Sequence, residues 1–232
     1  MVIGHRKKIR IDREELGKDG YLKAPVLFHM IEGISIDHAE ILGAGIDDLM
    51  KNDHIWVLSK LKFELRKCID PESEYYLETF PRPRKAVTYG RDYYIRDSEG
   101  NVVMEGTSQW CIINFRTRKI ARTDIDFQGE YRSEKALGKG FDKIHEKQPE
   151  LITIHKVTEA DIDVNRHVNN CRYVEMACDA TGNDVFTEFN IYFAKESRLG
   201  DDIYIYSERQ DGGYVIQGKF PDGTVIFQAC GE

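Results

Sequence analysis

The chain has 232 residues and a formal net charge of −7, from 33 Lys and Arg residues against 40 Asp and Glu residues. This acidic balance argues against a general nucleic-acid binder, because the neutralisation of phosphates requires an excess of basic residues. Hydrophobic residues make up 41% of the chain, which is typical of a globular protein, and no run of about 18 apolar residues predicts a membrane-spanning helix.

The first part of the sequence predicts one helix followed by antiparallel strands. Pro25 suits the first turn of a helix and Gly43 can end it, and apolar residues recur between them with a helical period, so a buried helix is predicted over about 24–42. A polar loop over 47–53 follows. From His54 the period changes to two, which predicts a half-buried strand. Further strands are predicted over 74–80, 87–95 and 102–115.

The same order of elements returns after a charged segment. Twelve of the 28 residues in 123–150 are charged, and Gly and Pro interrupt the segment, so a solvated linker is predicted. A strand over 151–157 and a helix over 168–181 come next. Four strands are then predicted over 185–197, 202–208, 214–220 and 224–229. We therefore expect two similar halves, 1–122 and 151–232, joined by the linker 123–150.

The densest polar cluster precedes the second predicted helix. Asp161, Asp163, Asn165 and His167 occupy alternate positions, so in an extended segment all four would point to the same side. The N–H groups at a helix start lack helical partners, and such donors beside a general base suit acyl transfer through an oxyanion. The alternative interpretation is an ordinary polar loop that caps the helix.

Four stretches of the sequence, in order, resemble one enzyme family. Asp163-x-Asn-x-His-Val-Asn-Asn-x-x-Tyr173 is similar to the signature of the plant and bacterial acyl-acyl carrier protein (ACP) thioesterases. The segments 54–60, 108–120 and 193–197 resemble three further parts of these proteins. The resemblance implies an α+β fold, a tandem (double) hotdog in which each half wraps an antiparallel sheet round one long helix. It also implies hydrolysis of fatty acyl-ACP to free fatty acid and holo-ACP, which ends chain elongation in fatty acid synthesis.

The resemblance further implies catalytic roles for Asp163, Asn165 and His167, with Glu196 completing the group. Asp163 would hold the network or attack the thioester directly, and His167 paired with Glu196 would act as general base or acid. Ser197 stands where plant members commonly carry Cys, which excludes a thiol nucleophile at this position. Glu196 has the opposite strand parity to the apolar residues before it, so it must leave the apolar face, follow a bulge or be a surface residue.

Substrate contacts are expected from both halves. Backbone N–H groups near Val168, Asn169 and Asn170 are expected to bind the thioester carbonyl. The motif occurs only in the second half, which predicts one active site per chain, with the first half binding substrate. One apolar stripe of the first helix is expected either to line the acyl pocket or to be plain core: Leu27, Met30, Ile31 and Ile34.

The implied partner is ACP carrying a phosphopantetheine-linked acyl chain. Because ACP is acidic, basic clusters in the first half are expected to dock it, or else to form a solvated face. The residues of these clusters are Arg82, Arg84, Lys85, Arg116, Arg118 and Lys119. No metal, no cofactor, no nucleic acid and no membrane insertion are expected, and a homodimer is compatible with the sequence.

Other functions stay open at this point. A hotdog acyl-CoA thioesterase, a hotdog hydratase and a non-catalytic acyl-binding protein are alternatives, because a fold does not fix a function. Gly106-Thr-Ser-Gln-Trp110 departs from the G-x-S-x-G pattern of serine hydrolases. The N-terminus lacks the apolar segment of a signal peptide, and five cysteines without a C-x-x-C pair suggest reduced thiols. A cytoplasmic protein is therefore expected.

Overall fold

The computed structural model of the protein describes residues 2–123, 125, 127–145, 149–163, 166–210 and 212–232. Its helices are α1 (Ala24–Ile41), α2 (Ile46–Met50) and α3 (Asn170–Thr181). The strands before the linker are β1 (His5–Ile9), β2 (His54–Leu65), β3 (Tyr75–Pro81), β4 (Thr88–Asp97) and β5 (Val102–Asn114). Those after it are β6 (Glu150–Lys156), β7 (Glu188–Phe193), β8 (Asp202–Gln210), β9 (Gly213–Lys219) and β10 (Val225–Gly231).

In the described part of the chain, ten strands form one antiparallel sheet in the order β1-β3-β4-β5-β2-β7-β10-β9-β8-β6. The two halves join where β2 pairs with β7, from Lys60 opposite Tyr192 to Glu64 opposite Glu188. Read inward from its own edge, the first half has the order β1-β3-β4-β5-β2 and the second half has the order β6-β8-β9-β10-β7. The two orders are equivalent, because each strand of the second half corresponds to the strand numbered five lower in the first half. The sheet thus has the pseudo-twofold arrangement that the repeated order of elements predicts.

α1 and α3 pack together over the main hydrophobic core, to which both halves contribute. α1 contacts α3, and the rings of Phe63 and Phe189 stack across the β2–β7 seam with their centroids 5.6 Å apart. The side chain of Asn169 caps α3 by accepting a hydrogen bond from the Cys171 amide at 2.8 Å, and Gly182 ends the helix with φ +65°. A left-handed residue at this position favours glycine, because a Cβ atom there would be strained.

The described elements differ from the predicted ones at several ends. β1 was not predicted, and α2 occupies part of the segment predicted as a polar loop. The strand predicted over 185–197 is shorter, because β7 ends at Phe193. α3 begins at Asn170 rather than at residue 168.

The linker packs more closely on the sheet than the prediction of a solvated segment allows. Phe127, Ala136 and Leu137 are buried within it. The fully buried side chain of Lys62 places its Nζ 2.6 Å from Asp142 Oδ2 of the linker and 2.5 Å from Glu188 Oε1. Apolar residues of this segment therefore pack on the sheet, while most of the charged residues described in it are exposed.

Candidate active site

A cleft of about 1020 Å³ is lined by residues of both halves. This volume lies at the upper end of the range of roughly 300–1,000 Å³ that is common for small-molecule sites. Its apolar lining comes mainly from the first half and includes Ile36, Ala39, Trp56, Leu58, Tyr89, Trp110, Ile113 and Phe127. Polar side chains from the start of α3 and from the segment after β7 line the same cleft, which therefore combines a long apolar wall with a compact polar group.

A tight turn brings Asp163 and His167 together at this cleft. The Asp163 amide donates to the His167 carbonyl at 2.8 Å, and the His167 amide donates to Asp163 Oδ1 at 3.2 Å. Arg166 takes φ +63° within the turn. Both Asp163 and His167 line the cleft. Asn165, the third predicted member of the group, lies outside the described residues.

The extended arrangement predicted for residues 161–167 is wrong. Because the chain turns back, Asp161 does not join Asp163 and His167 but is buried on the other side of the segment. Its carboxylate accepts from the Thr158 amide at 2.8 Å, from His155 Nε2 at 3.0 Å and from Arg172 Nε at 2.9 Å. Burial alone would raise the pKa of Asp161, but these hydrogen bonds lower it to about 2. Asp161 is thus an ionised anchor of the turn.

Glu196 completes the polar group from the segment that follows β7. Since β7 ends at Phe193, strand parity no longer constrains Glu196, and its Oε2 lies 3.3 Å from His167 Nε2. Arg118 of the first half forms an ion pair with the other oxygen of the same carboxylate. The neighbouring Ser197 is fully buried, and its amide donates to the Tyr173 hydroxyl at 3.0 Å. Ser197 therefore serves packing behind the site.

The start of α3 offers fewer free amides than predicted. Val168, Asn169 and Asn170 all line the cleft. However, the Val168 amide donates to the Ser197 carbonyl and the Asn169 amide donates to the Asp161 carbonyl, each at 2.9 Å. The prediction that these two amides bind a substrate carbonyl is thus wrong, because backbone carbonyls already occupy them. The Asn170 amide is the first N–H of the helix and has no partner within it, so it is the donor that this turn leaves for a ligand.

The helix stripe predicted as one wall of the acyl pocket is core. Leu27, Ile31 and Ile34 are buried in the main hydrophobic cluster and Met30 packs against it, so the prediction that these four residues line the pocket is wrong. The cleft is lined instead by a neighbouring face of α1, about a third of a turn round the helix, that carries Ser35, Ile36 and Ala39. The more apolar face of α1 packs into the core, and the neighbouring face lines the cleft.

Glu32 lies on this same cleft-facing side of α1, and no pattern in the sequence predicts its place there. Its half-buried side chain lines the cleft together with Asp163 and Asn170. The pKa of Glu32 is raised to about 7, first by burial and then by the negative charge of Asp163, while the nearby Asn170 acts in the opposite direction. Near neutral pH this carboxyl is therefore present in both its protonated and its ionised form.

The six predicted docking residues separate into two groups. Arg82 donates to the carbonyls of Arg132 and Glu134 and so holds the linker, while Arg118 reaches into the cleft. Because of these contacts, neither side chain is available to dock a partner protein. The other four are exposed: Arg84, Lys85, Arg116 and Lys119.

Within the described residues, no three His, Cys, Asp or Glu side chains are grouped closely enough to hold a metal ion. No helix in the described part of the chain combines the length and the apolar character needed to cross a membrane.

Comparison with family models and curated relatives gives a consistent result over most of the chain. The acyl-ACP thioesterase N-terminal domain matches residues 3–131, and the acyl-ACP thioesterase C-terminal domain matches residues 144–222. Oleoyl-acyl carrier protein thioesterase 1, chloroplastic, of Arabidopsis thaliana is 22% identical over 204 residues, covering 79% of this chain and 56% of the relative. Dodecanoyl-[acyl-carrier-protein] hydrolase, chloroplastic, of Umbellularia californica is 23% identical over 208 residues, covering 80% and 53%. The chain thus spans about half the length of these relatives.

Solved structures confirm the predicted tandem hotdog fold. An acyl-ACP thioesterase from Bacteroides thetaiotaomicron superposes with a TM-score of 0.88 at 21% identity, covering 98% of this chain and 96% of that chain. The 12:0-ACP thioesterase from Umbellularia californica gives a TM-score of 0.85 at 19% identity, covering 100% and 97%. At these identities the likeness concerns the fold.

Proposed function

The chain belongs to the acyl-ACP thioesterase family, and from this membership we propose that it hydrolyses the thioester of fatty acyl-ACP. The products are a free fatty acid and holo-ACP, so the reaction ends chain elongation in fatty acid synthesis. One observation carries the proposal: Asp163, His167 and Glu196 meet at the start of α3, in a cleft that also has a long apolar wall. A fatty acyl chain suits such walls, and its thioester needs the polar group.

In this proposal the imidazole of His167 takes a proton from a water molecule as the water oxygen attacks the thioester carbonyl carbon. Glu196, 3.3 Å from His167 Nε2, stabilises the imidazolium that forms. The Asn170 amide donates to the developing oxyanion, helped by the positive end of α3. When the tetrahedral intermediate collapses, the C–S bond breaks and the imidazolium returns its proton to the departing phosphopantetheine thiolate.

Asp163 has two roles open to it in this scheme. Its carboxylate accepts from the His167 amide and so fixes the turn that presents the imidazole. Alternatively, the carboxylate attacks the carbonyl carbon, expels the thiolate and forms a mixed anhydride that water then hydrolyses. Asn165 joins the group on the strength of the sequence motif. Intact-mass analysis of enzyme quenched during a single turnover separates the two routes, since only the second adds an acyl group to Asp163.

ACP is the proposed carrier, and its docking is assigned to the exposed basic residues near the cleft. Arg118, two residues from Arg116 and one from Lys119, lies at Glu196, so this turn borders the site. Arg84 donates to the Thr123 carbonyl, which brings the 82–85 cluster close to the same turn. Positive charge beside the cleft complements an acidic carrier and would speed its association.

The test is hydrolysis of a panel of ACP thioesters of varied chain length by the wild type and by Asp163→Ala. We expect turnover by the wild type and a fall of at least ~100-fold in kcat in the variant, which circular dichroism shows to be folded at the assay temperature. Matched acyl-CoA thioesters are run beside them. Full activity of Asp163→Ala contradicts the site, and faster turnover of acyl-CoA contradicts ACP as the carrier.

A further inference from the structure

A chain of four polar side chains connects the wall of the cleft to α1 through the protein interior. The Trp110 indole Nε1 donates to Ser108 Oγ at 2.7 Å, and Ser108 Oγ lies 2.7 Å from the Tyr93 hydroxyl. That hydroxyl lies 2.7 Å from Ser35 Oγ, which donates to the Ile31 carbonyl at 2.7 Å. Trp110 and Ser35 line the cleft, whereas Ser108 and Tyr93 between them are buried. We call these four residues the hydroxyl chain.

The direction of every hydrogen bond in the hydroxyl chain is determined, because each hydroxyl has one hydrogen to donate. Ser35 uses its hydrogen on the Ile31 carbonyl, so it accepts from Tyr93. Tyr93 therefore accepts from Ser108, which itself accepts from the Trp110 indole. All four donors are used. A buried polar network that is fully satisfied holds its members in one arrangement, because any group left unpaired in the core is costly.

Two other aromatic side chains of the cleft are held in a simpler way. Trp56 Nε1 donates to the Ala44 carbonyl at 2.9 Å, and the Tyr89 hydroxyl donates to the Thr123 carbonyl at 2.9 Å. Each of these rings thus has a hydrogen bond to a single backbone carbonyl. Trp110 is instead tied through three hydroxyl groups to α1, which supplies another part of the same cleft wall. The position of its indole is therefore fixed relative to that helix.

Trp110 lies well away from the polar group of the cleft. It stands four residues before Asn114, where β5 ends, and the turn that follows brings Arg118 to Glu196. At ~3.3 Å per residue, Trp110 is roughly 13 Å along the strand from that turn. Ile113 lines the cleft between them. An acyl chain with its thioester at the polar group would therefore meet the indole only with carbons far from the carbonyl.

We propose that Trp110, held by the hydroxyl chain, is a fixed stop for the far end of the acyl chain and so determines the chain length that the cleft accepts. This rests on the proposed hydrolysis of fatty acyl-ACP. A fixed indole rejects further methylene groups, whereas an indole that can turn aside admits them. One methylene group more or less in an apolar pocket changes specificity by roughly 10- to 200-fold, which a movable wall would reduce.

The experiment measures kcat/KM for saturated acyl-ACP thioesters of increasing length, in steps of two carbons, in four proteins. The wild type is compared with Trp110→Ala, which removes the indole, and with Ser108→Ala, which keeps the indole but removes its acceptor. Tyr75→Phe is the matched control, because Tyr75 is buried in the main core and its hydroxyl accepts from the Asp70 amide at 2.9 Å. Thermal unfolding checks that each variant is folded. If Trp110→Ala does not fold, Trp110→Phe replaces it.

Each variant has its own expected chain-length profile. Trp110→Ala should prefer a chain at least two carbons longer than the wild type prefers, and Trp110→Phe should shift the profile in the same direction. In Ser108→Ala, the discrimination against the next longer chain should fall at least ~10-fold. Tyr75→Phe should keep the wild-type profile, because its hydroxyl is not part of the hydroxyl chain.

A second measurement does not depend on turnover. The protein has two tryptophans, Trp56 and Trp110, so in Trp56→Phe all indole emission comes from Trp110. Titration of this variant with free fatty acids of increasing length should change the emission only above a threshold length, because shorter chains do not reach the indole.

Three results overturn the inference. A folded Trp110→Ala or Trp110→Phe with the wild-type profile shows that Trp110 is not the stop, and so does emission that responds equally to the shortest and the longest fatty acids. If Ser108→Ala keeps the wild-type discrimination, the hydroxyl chain does not hold the stop and only stabilises the core. Failure of the proposed function looks different: no acyl-ACP is hydrolysed, while the emission still shows a threshold length.

Discussion

Replacing Glu196 with Gln removes one charge and little volume from the candidate site. Glu196 Oε2 lies 3.3 Å from His167 Nε2, and the two side chains are 37% and 15% exposed. Solvent screens a pair with this exposure, so we use the value for a hydrogen bond to a charged group, about 1.5–3 kcal/mol. At ~1.4 kcal/mol per decade, this predicts a fall in kcat of about 10- to 100-fold. KM should change little, because the imidazolium forms only during turnover.

The assay is steady-state hydrolysis of an acyl-ACP thioester, with Asp202→Asn as a matched control. Asp202 has a similarly exposed side chain, 42%, and an ion pair with Lys156 at 3.1 Å on the far strand β8. We expect this control to keep its kcat within about twofold, as exposed pairs contribute little. If a folded Glu196→Gln also stays within about threefold, Glu196 only anchors Arg118, and the assignment to catalysis is wrong.

Two further outcomes concern the anchor and the carrier. Asp161→Asn should lower the free energy of unfolding by about 2 kcal/mol at pH 7, because the native pKa of about 2 lies below the unfolded value near 4. This difference in unfolding free energy should persist above pH 4 and vanish as pH falls through about 2. Urea unfolding of both proteins at several pH values measures it, and a difference that stays constant with pH would contradict the role of Asp161. Lys85→Glu with Lys119→Glu should raise KM for acyl-ACP several-fold at low salt and less at high salt. An unchanged KM would disprove the docking surface.

Most of the fold follows from short-range patterns in the sequence. α1 occupies Ala24–Ile41 against a prediction of 24–42, because its apolar period and its end signals are local properties of the chain. β1 could not be found in this way. Its residues His5–Ile9 are mostly basic and largely exposed, as suits the edge strand of a sheet, so they show no apolar alternation.

The candidate site was only partly predictable, because its geometry depends on a turn. The residue types at 163 and 167 pointed to the chemistry, and the structure brings both to the cleft. Their alternation with Asp161 suggested an extended segment, whereas Arg166 in a left-handed conformation reverses the chain. Glycine or asparagine at this position would have suggested a left-handed conformation, but an arginine does not.

Glu32 shows a second limit of sequence patterns. In the helical pattern, Glu32 is a polar residue next to an apolar stripe. Most acidic residues of amphipathic helices have such a position, so the pattern does not distinguish Glu32 from them. Its relation to Asp163 and Asn170 exists only because α1 and α3 pack together, more than 130 positions apart in the chain. A raised pKa near a like charge is a tertiary property, and it appears only once the two halves are in place.

The pseudo-twofold fold would allow a second site at the start of α1, but the described residues there lack the chemistry. The counterpart of Asn170, the first residue of α3, is Ala24, whose amide donates to the Asp184 carbonyl at 2.7 Å. Pro25 follows and has no N–H to offer. The segment 19–25 also lacks a histidine. The remaining site takes His167 from the second half and Arg118 from the first, so neither half alone holds the full set.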